Sequence, residues 1–232
     1  MTRILSNKML SLMIKDRKRG GLNPIIAEIK VYSPKQGDLL RGRDPMEILK
    51  VYESCKVAGI SYITAKEFRG DFEVLKKICK STELPVLRKD FIKRKDDIES
   101  SCEAEVSALL LIARILKDKT AEFVDLTHEH GMESLVEVHS EEDVRIALET
   151  KTKLVGINNR DIFSGYDGSV EVTTKISPMI KNRLKISESC IKTLEDLKVA
   201  LKFADAALIG TAFMRAEKTF DFVKSFVEAR LC

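Results

Sequence analysis

Apolar positions recur along this chain in short runs that a strand can bury. Between the runs they recur at the three-to-four-residue spacing of a helix. Strand candidates fall at 25–30, 60–64, 85–89, 106–112, 134–138, 153–158, 184–188 and 206–210. Helix-like stretches lie near 45–58, 71–81, 94–104, 117–130, 140–150, 169–181, 192–202 and 217–230. Asp44-Pro45 sets a cap before a proline at the first helical position. Ser140 precedes three acids that suit a helix dipole, and Thr193 or Lys192 opens another helix. Gly59 and Gly131 follow helices, where a left-handed residue is expected.

Eight alternating strand–helix units with short connections predict a (β/α)₈ TIM barrel. The expectation is a single domain over 1–232, with 1–22 as a short N-terminal helical extension. A doubly wound open sheet is the competitor, because one sequence does not reveal closure. No G-x-G-x-x-G or G-x-x-x-x-G-K-[ST] pattern occurs, which weakens dinucleotide and nucleoside-triphosphate readings.

Polar residues interrupt the apolar strands near their ends. Glu28 and Lys30, Lys89, Glu137, Asn158 and Glu188 occupy such positions in five different runs. Burying an unpaired charge costs several kcal/mol, so these groups are expected to share one polar site. The C-terminal strand ends of a closed barrel converge on such a site. Glu28 and Lys30 are two apart on one strand, face the same side and are expected to pair. Lysines and carboxylates around one cavity supply proton transfers; an ion-pair network plugging the barrel mouth is the plainer alternative.

Ser189 follows the seventh strand candidate, and Gly210-Thr211 follows the eighth. Loops in these places hold phosphate in many barrels of this type, and Ser33-Pro34 after the first strand adds a third edge. Weaker candidates are read structurally. His128, His130 and His139 lack zinc-ligand spacing and are expected at the surface or as caps. Asp96-Asp97 reads as a solvated helix start, and Cys190 as a small buried thiol.

The chain has 232 residues, 44% of them hydrophobic and 33% charged, enough for a substantial core. No apolar run reaches the length of a bilayer span, and residues 1–20 lack the apolar region of a signal peptide. Cys55, Cys79, Cys102, Cys190 and Cys232 are scattered and form no C-x-x-C pair, which predicts a reducing, cytoplasmic setting. Six basic residues against one acid in the first twenty account for the net charge of +4. They read as the solvated face of an amphipathic helix whose apolar side is Ile4, Leu5, Met9, Leu12 and Met13. With so local a basic patch and no tryptophan, neither nucleic acid nor membrane is an expected partner.

The same residues resemble the indole-3-glycerol phosphate synthase family. The resemblance rests on residues 24–30 with Ser33-Pro34, and on 85–92, 109–113, 135–139, 156–161, 186–189 and 207–210. It implies ring closure, decarboxylation and dehydration of 1-(2-carboxyphenylamino)-1-deoxyribulose 5-phosphate, with no cofactor and no metal. It further implies Lys89 as general acid, Lys30 on the substrate carboxylate, and Glu137 as acid or base in dehydration. Glu28 would keep Lys30 charged, Asn158 and Glu188 would polarise the sugar hydroxyls, and Arg160 would support the carboxylates. Phe91 would wall the aromatic ring, and Ser33, Ser189, Gly210 and Thr211 would hold phosphate. Which lysine gives the critical proton stays open.

Three features depart from the family pattern. The extension that covers the site in the family is short here. Cys190 stands where glycine is common, and the loop at 65–70 with Phe68 is slightly reduced. A sugar-phosphate isomerase and a barrel that binds without catalysis are the competing functions. The chain limits predict no fused pathway partner, and the lack of a long apolar surface stripe predicts a monomer.

Overall fold

The computed structural model describes residues 8–160 and 168–230. Eight parallel strands run β1 (Ile25–Ile29), β2 (Gly59–Ile63), β3 (Val86–Lys89), β4 (Ala108–Ile112), β5 (Glu133–Val138), β6 (Leu154–Asn158), β7 (Leu184–Glu188) and β8 (Ala206–Ile209). Each pairs with its successor, and β8 pairs with β1 through Ile25–Ala207 and Ile26–Leu208. Closure excludes the open doubly wound sheet.

The period-two alternation of a strand explains both cores. Ile25, Ala27, Ile29, Val86, Leu109 and Val136 pack outward with the helices. Ile26, Leu87, Leu110, Leu135, Leu154 and Ile186 fill the barrel interior. Two residues further along β1, β3, β5 and β7 the inward position is Glu28, Lys89, Glu137 and Glu188. The polar strand ends are thus the top layer of an otherwise apolar barrel.

The predicted helices form as Pro45–Ser54, Phe72–Ser81, Lys95–Glu103, Thr120–Glu129, Glu141–Leu148, Glu171–Ile176, Leu194–Phe203 and Thr219–Glu228. Side-chain caps at Asp44, Ser140 and Thr193 accept from Met46 N, Asp143 N and Asp196 N. Short helices at Ala113–Leu116 and Thr211–Arg215 and a hairpin pairing Tyr32–Ser33 with Gly37–Asp38 were not legible in the pattern. Gly131 takes φ +77°, as expected. Gly59 does not; it lies within β2, and the left-handed residue after that helix is Lys56 at φ +59°. Gly59 is small for another reason: a Cβ there would stand 2.8 Å from Leu10 Cδ1.

The N-terminal helix, Leu10–Arg19, corrects two expectations. Its buried face is Leu10, Ser11 and Ile14, whereas Leu12 is 52% exposed. Ile4 and Leu5 of the predicted face, and Asp161 and Cys232, lie outside the described residues. The helix also closes the N-terminal end of the barrel, away from the polar strand ends. Leu10 and Ile14 join the interior core, Ser11 N donates to Glu133 Oε2 at 3.0 Å, and Lys8 Nζ donates to Thr82 O at 2.7 Å. Lys18 pairs with Asp205 at 3.3 Å just ahead of β8. The basic charge of this helix therefore lies below the barrel, not over its mouth. Among the described residues no helix is long and apolar enough to cross a membrane.

Candidate active site

At the C-terminal strand ends opens a cavity of about 530 Å³. Its walls include Glu28, Lys30, Ser33, Lys89, Phe91, Glu137, Asn158, Arg160, Ser189, Gly210 and Thr211. Glu188 is the one candidate set behind the wall, with a fully buried side chain.

Lys89 is the centre of the charge network. Its Nζ lies 2.8 Å from Glu188 Oε2 and 3.7 Å from Glu28 Oε2, joining β3 to β7 and β1. The expected Glu28–Lys30 pair does not form. Glu28 reaches Lys89 instead, and acts on Lys30 as a more distant charge. Lys30 Nζ sits 4.9 Å from the centroid of the Phe68 ring, a cation–π contact that steadies it at the rim. Asn158 hydrogen-bonds Glu137 and accepts from Arg160 N at 3.0 Å, tying β5 to the chain after β6.

Two glycines give the acids their space. A Cβ at Gly156 would stand 2.0 Å from Glu188 Oε1, and one at Gly210 would stand 2.2 Å from Glu28 Oε1. No side chain fits at either position without moving a carboxylate.

Burial and charge then divide the protons unequally. Burial lowers the pKa of Lys30; Glu28 opposes the shift, and Lys89 and Arg160 add to it. Burial also works against the charge on Lys89, but Glu188, Glu28 and Glu137 outweigh it and hold Lys89 well above the ordinary lysine value. Burial pushes Glu188 up to about 7 against the pull of Lys89, with Glu137 adding to the rise. Glu137 is raised by burial too, against Lys89, the Asn158 hydrogen bond and Arg114. A firmly protonated lysine beside two reluctant carboxylates equips the site for proton transfer near neutrality.

The far side of the cavity differs in character. Ser33, Ser189 and Thr211 line this side of the mouth, following the adjacent strands β1, β7 and β8, and Lys35, Gln36, Lys192 and Arg215 complete that rim. The last four escaped the sequence reading, which weighed only hydroxyls and glycine there. Six cations against three carboxylates line the whole cavity, which favours an anionic occupant. Asn159 supports the Ser189 loop from behind: its Nδ2 donates to Ser187 Oγ, Glu188 O and Ser189 O at 3.0, 2.9 and 3.2 Å. Ser189 and Cys190 both hold left-handed backbone, at φ +67° and +62°. The departure at Cys190 thus falls on a position that favours glycine. The shortened loop at 65–70 forms a 3₁₀ turn, Lys66–Phe68, and Arg69 stacks on Tyr32 at 4.0 Å.

His139 corrects its expectation. Its side chain is 4% exposed, with Nε2 3.3 Å from Glu137 Oε1. His128 and His130 bind Ser134 Oγ and Leu126 O, away from the cavity. Among the described residues no group of three or more His, Cys, Asp or Glu is placed to hold a metal ion.

A model of the indole-3-glycerol phosphate synthase family matches residues 5–226. The indole-3-glycerol phosphate synthase of Pyrococcus abyssi is 60% identical over 219 residues, 93% of this chain and 96% of that protein. That of Pyrococcus furiosus is 56% identical, covering 96% and 98%, and that of Methanocaldococcus jannaschii 38%, covering 88% and 78%. The chain belongs to the indole-3-glycerol phosphate synthase family.

Proposed function

We propose that this enzyme closes the pyrrole ring of 1-(2-carboxyphenylamino)-1-deoxyribulose 5-phosphate, with loss of carbon dioxide and water. Its family makes it a carboxy-lyase of tryptophan biosynthesis that takes a phosphate-bearing substrate. The residue roles below are inferred from chemistry and position.

Ring closure joins the carboxyl-bearing aryl carbon to C2′. The carbonyl oxygen becomes an alkoxide, more basic than any lysine, and Lys89 protonates it. Loss of carbon dioxide returns an electron pair to the aromatic ring. The C2′ hydroxyl then leaves as water, a C1′ proton departs, and the C1′–C2′ double bond completes the indole. Glu137 acts in this second stage as acid or base. Lys30, with Arg160, holds the substrate carboxylate, and Phe91 with Phe68 walls the aryl ring. Asn158 addresses the sugar hydroxyls, while Glu188, set behind the wall, acts through Lys89. Ser33, Ser189, Gly210 and Thr211 take the phosphate, with Lys192 and Arg215 adding charge nearby.

The observation that carries this reading is Lys89 held between Glu188 and Glu28 at the cavity floor. A sugar-phosphate isomerase works with one acid–base pair, whereas two lysines and three glutamates meet here. Mixing the purified protein with the substrate and following indole fluorescence beside carbon dioxide release tests it. Equal amounts of both products support the reading; binding without either product overturns it.

A further inference from the structure

Behind Glu137 stands a chain of polar contacts that the ring-closure chemistry does not use. His139 Nε2 lies 3.3 Å from Glu137 Oε1, and His139 Nδ1 lies 3.8 Å from Asp143 Oδ2. The same Asp143 oxygen accepts the His139 backbone N–H at 2.8 Å and faces the Arg114 guanidinium at 3.3 Å. The side chains of Glu137, His139 and Asp143 are all buried. His139 does not border the cavity, so it touches Glu137 but no substrate.

Three elements build this arrangement. Glu137 and His139 are two apart, so the extended chain at the end of β5 turns both to the same side. Asp143 is in the first turn of the helix Glu141–Leu148, where Ser140 Oγ accepts its backbone N–H. Arg114 comes from the short helix after β4. A buried carboxylate whose pKa burial raises needs a donor to stay in place once it loses its proton. Asn158 supplies one donor from β6, and the His139 imidazole supplies a second from just past the end of β5.

We infer that His139 is a positioning residue for Glu137: its Nε2–H fixes the carboxylate, and Asp143, held by Arg114, anchors the His139 backbone N–H and sets its charge beside the ring. This rests on the reading of Glu137 as the dehydration group. Losing the donor frees the carboxylate to swing, and a misplacement near 1 Å costs about a hundredfold in rate. The loss falls on dehydration alone, because ring closure and decarboxylation use Lys89.

The test compares carbon dioxide release with indole formation in one rapid-quench experiment on wild type, His139→Ala, His139→Gln and Glu137→Gln. In His139→Ala, carbon dioxide appears at near the wild-type rate. Indole lags about 10- to 100-fold, and a species heavier than product by one water accumulates. KM stays near wild type, and His139→Gln, whose amide reaches Glu137 as a donor, restores indole formation. His139→Asn, with an amide too short to reach, gives the same comparison in a filled pocket should alanine unfold the chain. Indole keeping pace with carbon dioxide in the alanine and asparagine variants, while Glu137→Gln lags, overturns the role of His139 alone. Absence of the lag in Glu137→Gln overturns the Glu137 reading and this inference with it.

Discussion

Gly156 and Glu188 lie on the neighbouring strands β6 and β7, two register positions apart, and a methyl group on the glycine would stand 2.0 Å from Glu188 Oε1. The space a side chain would fill is occupied by the carboxylate that binds Lys89 at 2.8 Å. The Lys89 cation and an interior glycine are thus parts of one device.

Gly156→Ala is therefore expected to force Glu188 off Lys89. Overpacking costs about 1–3 kcal/mol, read as a lower denaturation midpoint. Indole formation falls with it, and Gly210→Ala, which meets Glu28 Oε1 at 2.2 Å, behaves alike. Unchanged activity in both would show that the Lys89 ion pairs are dispensable.

The eight strands were legible because period-two burial leaves its mark in single residues, with Ile26, Leu87 and Leu135 inward just before Glu28, Lys89 and Glu137. The pairing of those charges was not. Sequence proximity suggested Glu28 with Lys30, but barrel closure brings Glu188 and Glu28 to Lys89 from strands 99 and 61 residues away in sequence. His139 leaves no such mark, because its contacts with Glu137 and Asp143 come from packing and not from ligand-like spacing. Its neighbour Asp143 reaches it through a helix cap, a contact set by three-dimensional packing. The hairpin at 32–38 carries no apolar period and left no signal.

Glu188 gives a pH dependence of stability. Its folded pKa, about 7, exceeds the ordinary 4.5, so the folded state holds the proton more tightly. The stability this contributes is full below 4.5 and is lost as pH rises through 7. The loss is on the order of 3 kcal/mol. Wild type should lose stability relative to Glu188→Gln across that window in chemical denaturation. Parallel curves would contradict it.

Cys190 tests backbone strain in the loop after β7. Cys190→Gly and Cys190→Ala both remove the thiol, but only glycine suits φ +62°. After allowing for glycine's greater freedom in the unfolded chain, the glycine variant should be about 0.5–1 kcal/mol more stable than alanine. Equal stability would mean that the loop carries no strain at this residue.

The N-terminal helix is a bottom plug. Leu10→Ala or Ile14→Ala is expected to destabilise the fold by about 2–4 kcal/mol while leaving KM unchanged at temperatures where the variants stay folded. A raised KM at intact stability would place the helix in contact with the site.

The central claim is that Lys89 gives the ring-closing proton and Lys30 holds the substrate. Steady-state indole fluorescence with Lys89→Ala and Lys30→Ala separates the two roles. Loss of about a thousandfold in kcat at near-constant KM is expected for Lys89→Ala. Lys30→Ala should raise KM about 10- to 100-fold with a smaller change in kcat. The reverse pattern, kcat lost with Lys30 and kept without Lys89, would contradict the account and move the acid to Lys30.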